Sequence, residues 1–332
     1  MNKRNTARFA FALTLLICTI GSVRAQKSDH IYDFLELSPS AHATALGGTQ
    51  VAMGGYEVSQ LFQNPSAMAD PTHNNLALNI TPYVEGIKYG TAAYCWHLEN
   101  IGNVGGGFQF ISYGDFDRTD ENGTELGTFT ASEYAIYLTF SKQLTPQLTM
   151  GATLKPVFSK FDNYDSFGLM MDFGVTYRSV NKRFVAGAAI KNLGSQITEY
   201  EEKHEKLPTD VKVGLSYKAE HAPFRISLTL KDLTEWNLST DDDNKISFGD
   251  NLMRHTIFGV EMLPFRNFYV GVGYNHRIRK EMVASDKKGA TGFSWGFGLK
   301  IYKFHIAYGS ARHHIAGSCN SISLSTNLSS FL

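Results

Sequence analysis

The chain has 332 residues with 31 basic and 31 acidic side chains, so its formal net charge is zero. Nucleic-acid binding normally requires a basic face, and this balance excludes nucleic acid as the expected partner. Only 19% of the residues are charged, whereas there are 30 glycines, 23 phenylalanines and 16 tyrosines, which favours a sheet protein with aromatic anchors over a helical enzyme.

Residues 1–25 have the pattern of a cleaved signal peptide. Phe9–Ile20 is an apolar stretch, too short for a membrane-spanning helix, which needs about 20 residues. Ser22–Ala25 offers a small-residue cleavage site before Gln26. A lipoprotein signal ending at Cys18 is the alternative, but Ile17 stands where such signals need a small residue. The sequence therefore predicts export.

Residues 26–74 do not follow a strand pattern and are predicted to form a hatch segment inside or beneath a barrel. Small residues and turn signals dominate this part of the chain. Four residues are predicted to shape the hatch, namely Gly47, Gly48, Asn64 and Pro65. Glycine permits backbone conformations closed to other residues, and proline fixes φ. A periplasmic extension without function, or an ordinary turn sequence, is the alternative.

Residues 75–332 repeat units of 8–12 residues in which large apolar side chains alternate with small or polar ones. In Glu133–Ser141, for example, every second residue is large and apolar, and in Phe268–His276 the other face carries glycines. The units predict about fourteen strands of an all-β, antiparallel transmembrane barrel whose outer face meets lipid.

The connections between these units differ in length in a regular way. Alternate turns are short, whereas several of the others are long and polar, at 114–127, 195–206, 237–251 and 279–289. Short periplasmic turns and long external loops are typical of outer-membrane barrels. The loops near Asp120, Glu201 and Asp242 are predicted to bind a partner, with contact residues left unknown, because such loops expose hydrogen-bonding groups.

Motifs that would indicate catalysis or a cofactor lack the context they need. Gly292–Gly296 has the form G-x-S-x-G but lies in an alternating strand without a following helix. Asp241–Asn244 lacks the glycine and glutamate of a calcium loop, although weak divalent binding there stays open. Because His313 and His314 are adjacent, a strand points them to opposite faces. No enzymatic activity, metal or cofactor is expected.

Two cysteines, Cys95 and Cys319, remain after the predicted cleavage. A small secreted disulfide scaffold would contain more. Whether these two pair stays open.

Seven short phrases stand in a recognisable order along the chain: Tyr32–Leu37, Ser38–Ala41, Ala45–Gly48, Asn64–Ser66, Ala188–Gly194, Leu207–Asp210 and Gly214–Tyr217. Together they resemble the FadL-like barrel superfamily and, within it, the PorQ branch of the type IX secretion system of Bacteroidetes. The resemblance covers about residues 30–332, and the Asn-Pro-Ala of the superfamily is Asn-Pro-Ser here.

This resemblance implies a fourteen-stranded outer-membrane barrel of a Gram-negative, Bacteroidetes-like bacterium, surrounded by outer-membrane lipid. It also implies membership of the cell-surface attachment complex, in which PorQ-like barrels hold a surface-exposed PorZ-like subunit for cargo processing and attachment. The alternative is a FadL-like transporter of hydrophobic small molecules. Small inward residues could leave room for such a ligand, or could equally let the hatch fit.

Overall fold

Fourteen antiparallel strands close into one barrel in the computed structural model, which describes residues 30–83, 86–119, 125–200, 205–238, 246–281, 290–314 and 317–331. Each strand pairs with its neighbours in sequence, and β1 pairs with β14 to complete the ring. The strands are β1 (Asn75–Pro82), β2 (Lys88–Leu98), β3 (Gly102–Thr119), β4 (Glu125–Thr145), β5 (Leu148–Phe161), β6 (Tyr164–Arg178), β7 (Phe184–Thr198), β8 (Asp210–Lys218), β9 (Phe224–Leu230), β10 (Thr256–Phe265), β11 (Phe268–Asn275), β12 (Phe293–Ile301), β13 (Phe304–His314) and β14 (Gly317–Asn327). The predicted fold class and strand number are confirmed.

The alternation in sequence becomes an apolar outer face and a buried inner face, because successive side chains of a strand point to opposite sides. In β4, Leu138 and Phe140 are exposed on the outside, whereas Tyr137 and Thr139 are buried inside. The same holds in β11, where Val272 points outward and Tyr269 inward. An apolar exterior is the surface that a barrel presents to lipid.

Short helices lie outside the strands. Before β1 come α1 (Ala41–Ala45) and short 3-10 helices at Asp33–Glu36, Val58–Phe62, Pro65–Ala67 and Asp70–Thr72. The connection from β9 to β10 contains α2 (Phe248–Arg254), β11 is followed by α3 (His276–Glu281), and a 3-10 helix at Leu328–Ser330 follows β14. Of the helices among the described residues, none is long and apolar enough to cross a membrane.

The two ends of the barrel differ in their connections, largely as predicted. The barrel starts at Asn75 and finishes at Asn327 on one end, where the turns are short, as between Phe265 and Phe268. By the outer-membrane pattern this end is periplasmic and the other is extracellular. Two connections at the extracellular end depart from the pattern, because Phe161 pairs with Tyr164 and His314 pairs with Gly317 across short turns.

Two of the predicted long loops are shorter than expected. Most of 114–127 belongs to strands, because β3 and β4 continue to pair as far as Thr119 and Glu125. Likewise, β7 runs to Thr198 and takes the first residues of the loop predicted at 195–206. Polar composition indicated loops here, but cross-strand pairs such as Phe116 with Phe129 extend the β3–β4 ladder beyond the ends of the neighbouring strands.

Candidate functional site: the filled lumen and the extracellular rim

The described part of the hatch segment, residues 30–74, lies inside the barrel. Its main chain bonds to inward side chains of strands on every side of the ring. The bonded groups are Thr91 Oγ1 to Pro39 O (2.8 Å), Gln109 Nε2 to Phe34 O (2.7 Å), Ser141 Oγ to Met68 O (2.9 Å), Lys191 Nζ to Phe62 O (2.7 Å), Ser294 Oγ to Ala45 O (3.0 Å) and Ala41 N to Ser323 Oγ (2.8 Å). A segment that reaches strands all around a barrel fills its lumen.

Inward glycines make room for this segment. A Cβ at Gly107 would lie 2.9 Å from Leu61, and one at Gly187 would lie 2.6 Å from the carbonyl oxygen of Val51. The glycines whose missing Cβ would meet hatch atoms form what we call the glycine belt: Gly105, Gly107, Gly151, Gly168, Gly174, Gly187, Gly214, Gly259, Gly271, Gly273, Gly296 and Gly309. The inward small residues therefore accommodate the hatch.

Gly47 and Gly48 end α1 in left-handed backbone conformations, with φ of 97° and 98°. The Gly48 amide donates to the carbonyl of Ala43 at 2.8 Å, which satisfies an orphan carbonyl at the helix end. A Cβ at Gly47 would also collide with Ile257 of β10. Both glycines thus set the direction in which the chain leaves α1.

Asn64 and Pro65 begin the 3-10 helix at Pro65–Ala67. Asn64 is fully buried, and its Oδ1 accepts from the Ser66 amide at 3.0 Å as an N-cap. Its Nδ2 donates to Val51 O at 3.0 Å and to Thr176 Oγ1 of β6 at 3.2 Å. Asn64 therefore joins two parts of the hatch to the barrel wall.

A buried ion cluster connects the hatch to β5, β6 and β7. Asp172 Oδ1 lies 3.0 Å from Lys155 Nζ, and its Oδ2 lies 2.5 Å from Lys191 Nζ. The Asn192 amide also donates to Asp172 at 2.7 Å. The β6–β7 register shifts between Met171 and Phe173, and this bulge turns both Lys191 and Asn192 toward the carboxylate. We call Lys155, Asp172, Lys191 and Asn192 the central cluster.

A second group of charges adjoins the central cluster. Lys212 of β8 forms an ion pair with Glu36 of the hatch and lies 3.8 Å from Asp210. Asn192 Nδ2 donates to Glu36 at 3.2 Å and so connects the two groups. Burial alone would raise the pKa of Glu36, but the cations of Lys212 and Lys231 outweigh it and lower the pKa. Glu36 is therefore a charged anchor of the hatch.

A third cluster lies toward the periplasmic end, around His42 of α1. Its Nδ1 is 2.6 Å from Glu57 and its Nε2 is 2.9 Å from Glu261, which Arg225 also contacts at 3.2 Å. The imidazole stacks on Tyr269 with 4.1 Å between ring centroids. Burial would lower the pKa of His42, but Glu57 and Glu261 raise it to about 10. His42 is thus a cation at neutral pH.

Sequence reasoning identified none of these ion clusters. A signal was present, because Lys155 and Asp172 are charged residues at inward positions in the middle of their strands. Buried charges in proteins are paired or hydrogen-bonded, so each predicts an opposite charge nearby.

Among the described residues, no three His, Cys, Asp or Glu side chains form a group that could hold a metal ion. Cys95 and Cys319 are both buried thiols.

At the extracellular end the β3–β4 hairpin rises above the rim. The pairing of β2 with β3 stops at Ser112, and that of β5 with β4 stops at Ala131. Beyond these points β3 and β4 pair only with each other among the described strands. We call this part, residues 113–119 and 125–130, the projecting hairpin. Phe116 and Phe129 stack at 5.3 Å between ring centroids, and Phe116 is exposed.

The connection that contains α2 is held to α3 by ion pairs. Arg277 Nη1 lies 2.7 Å from Asp232, and His276 Nε2 lies 3.1 Å from Asp250. Burial would raise the pKa of Asp250, but hydrogen bonds from His276 and Arg254 lower it to about 2. Phe248 is 70% exposed on this surface.

The residues predicted at the loop tips, Asp120, Glu201 and Asp242, lie outside the described residues, as does the predicted signal peptide at 1–25.

The sequence of residues 26–230, well over half of the chain, matches the family described as type IX secretion system protein PorV. The chain belongs to the PorV family. This match and the barrel fold identify an outer-membrane barrel of the type IX secretion system in a Gram-negative envelope. The family match does not extend to the narrower resemblance to PorQ.

Solved structures show the same fold as the PorV-family chain. It is similar to the toluene transporter TodX of Pseudomonas putida, with 14% identity, a TM-score of 0.54, and coverage of 87% of this chain and 97% of TodX. It is also similar to the monoaromatic hydrocarbon channel CymD, with 14% identity, a TM-score of 0.54, and coverage of 88% and 98%. At this identity the likeness concerns the fold alone. No curated protein sequence matches the chain.

Proposed function

We propose that this chain is a PorQ-like barrel that anchors a surface-exposed, PorZ-like subunit of the attachment complex in the outer membrane. The role is one of binding and positioning, without catalysis. The PorQ-like identity and the choice of partner rest on the sequence phrases of the hatch and of β7–β8. The type IX secretion context rests on the family match.

The filled and charge-bound lumen carries this proposal. Lys155 and Asp172 have fully buried side chains, and Lys191 is 3% exposed. Removal of the hatch would take the Phe62 carbonyl from Lys191 and Glu36 from Lys212. Leaving a buried charge without its partner costs about 3–5 kcal/mol. A hatch held in this way favours a barrel that acts through its rims over one that acts through its lumen.

The extracellular rim offers ordered surfaces to a partner. The projecting hairpin carries the stacked Phe116–Phe129 pair, and no described strand pairs with the outer backbone edge of β3 between Tyr113 and Thr119. Exposed aromatic side chains and open strand edges are features that protein partners cover. The surface around Phe248, which ion pairs between Asp250 and α3 hold in place, is a second such area.

The test is a gentle-detergent pull-down from the native outer membrane, with retained proteins identified by mass spectrometry. Wild-type barrel is expected to retain the PorZ-like subunit. A variant in which residues 115–128 are replaced by a short turn, combined with Phe248→Ser, is expected to lose it. The matched control is a short polar insertion in the periplasmic turn at Asn181, which should retain the subunit. Full retention by the extracellular variant would contradict rim docking, and absence of the subunit from the wild-type pull-down would contradict the anchor function.

A transporter of hydrophobic small molecules is the second proposal, and its support is the fold shared with TodX and CymD. The glycine belt reduces that support, because hatch atoms occupy the space that a ligand would use. Uptake of a radiolabelled fatty acid and of toluene would be compared between a deletion strain and its parent. Equal uptake in both strains would exclude the transporter.

A further inference from the structure

A cleft of about 390 Å³ opens at the periplasmic end, between the hatch and the wall formed by β12, β13, β14 and β1. Hatch residues Gly55–Ser59 form one side. The other side carries cationic, hydroxyl and amide side chains: Lys300, Lys303, His305, Ser325, Asn327 and Ser330. The side chains that line the cleft leave this volume open.

Two cations at the mouth of the cleft have no carboxylate partner among the described residues. Lys300 is exposed on the inward side of β12, one residue before the strand ends, and Lys303 lies in the β12–β13 turn. The acid that lines the cleft, Glu57, is already engaged by His42 at 2.6 Å. Within the described part of the chain, the positive charge at the entrance of the cleft is therefore not neutralised by a carboxylate.

The position of this charge relative to the bilayer follows from its neighbours. Ile301 and Phe304 flank the turn and are exposed on the lipid-facing side. Tyr302 is 81% exposed, and Lys303 Nζ lies 5.1 Å from its ring and 4.5 Å from the ring of Phe331. Aromatic side chains of this kind mark the headgroup level of a membrane. Lys303 thus stands where the phosphates of the periplasmic leaflet lie.

We propose that this cleft binds a phosphate group, which at this level is carried by the headgroup of an anionic phospholipid. Lysine ammonium groups bind phosphate as point charges. Hydroxyl and amide groups, such as those of Ser325 and Asn327, suit the glycerol part of a headgroup. The bound lipid would place its phosphate at Lys300 and Lys303 and its acyl chains against the outer face beside Ile301.

The experiment is native mass spectrometry of the purified, delipidated full-length barrel with phosphatidylglycerol or phosphatidylcholine. Wild type is expected to retain phosphatidylglycerol preferentially. Each lysine near an anionic lipid surface contributes about 1 kcal/mol, so Lys300→Gln with Lys303→Gln should weaken retention by at least about tenfold. The matched control is Lys182→Gln in the β6–β7 turn, an exposed lysine at the same end of the barrel that does not line the cleft. Folding is monitored for every variant by heat-modifiable gel mobility.

Competition with glycerol 1-phosphate separates the two sources of phosphate. Displacement of the lipid by millimolar glycerol 1-phosphate in wild type would support a headgroup site. Binding of glycerol 1-phosphate that depends on both lysines, without any preference for phosphatidylglycerol, would retain the phosphate site and remove the lipid as its source. Equal phosphatidylglycerol retention by wild type and the folded double variant, or equal loss in the Lys182→Gln control, would overturn the proposal.

Discussion

Gly151 of β5 lies directly against the main chain of Pro65: a Cβ at Gly151 would stand 2.6 Å from the Pro65 carbonyl carbon and 2.7 Å from the Ser66 amide nitrogen. Main-chain atoms cannot move aside as the end of a side chain can. Each residue here constrains the other, since the hatch follows its path only because the wall lacks a side chain. The glycine belt and the hatch are therefore one packed unit.

Gly151→Ala is expected to destabilise the barrel by about 1–3 kcal/mol, because an added methyl group overpacks a filled interior. The measurement is the free energy of unfolding in urea for barrel refolded into lipid vesicles. Gly106→Ala is the matched control, since a Cβ at Gly106 meets nothing within 4 Å. Similar stability in the two variants would mean that the hatch does not press on the wall at Pro65.

Gly48→Ala tests backbone conformation separately from packing. A Cβ at Gly48 meets nothing within 4 Å, but the residue has φ of 98°. Left-handed backbone costs an L-residue about 1–2 kcal/mol. We expect Gly48→Ala to lower the free energy of unfolding by about that amount relative to Gly55→Ala, whose site is open and lacks a positive φ. An equal effect of both changes would remove the role of Gly48 in ending α1.

The fourteen strands were predictable because their signal is local. The alternation of apolar and small or polar residues around positions 136 and 272 indicates which side chains face lipid, and it does so independently of the partner strand. Both positions fall within strands, in β4 and β11. The extent of β3 and β4 was not predictable in this way. The pairing of Phe116 with Phe129 depends on the partner strand, and the polar composition of this part of the sequence does not reveal it.

The content of the lumen could be predicted only in part. Gly47, Gly48, Asn64 and Pro65 could be predicted to shape the hatch because turns and caps depend on residues adjacent in sequence, and that role stays a prediction. The pairing of Asp172 with Lys191 depends on a bulge in the β6–β7 ladder, and that of His42 with Glu261 depends on closure of the whole barrel. For such contacts between distant residues, the only signal in the sequence is a charged residue at an inward position of a strand.

Lys191→Met is expected to destabilise the barrel by about 3–5 kcal/mol, since it removes one partner of a buried ion cluster. It also removes the donor to the Phe62 carbonyl, so liposome swelling with small sugars should increase as the hatch loosens. The control is Lys160→Met, whose pair with Asp165 spans 3.8 Å between largely exposed side chains. That change should stay within about 0.5 kcal/mol. Unchanged stability and permeability in Lys191→Met would show that the central cluster does not hold the hatch.

The His42 cluster predicts a dependence of stability on pH. Because Glu57 and Glu261 raise the pKa of His42 from 6.5 to about 10 in the folded protein, the folded state binds its proton more tightly than the unfolded state. The resulting stabilisation is complete below pH 6.5, declines as pH rises above that value, and is lost above about pH 10. His42→Gln removes the titrating group while it keeps a hydrogen-bonding side chain. The free energy of unfolding should therefore differ most between wild type and His42→Gln near pH 6, and the difference should shrink steadily toward pH 10. Urea unfolding of both proteins at intervals between pH 6 and pH 10.5 measures this, and a difference that stays constant across that range would mean that the imidazole is not held as a cation between the two carboxylates.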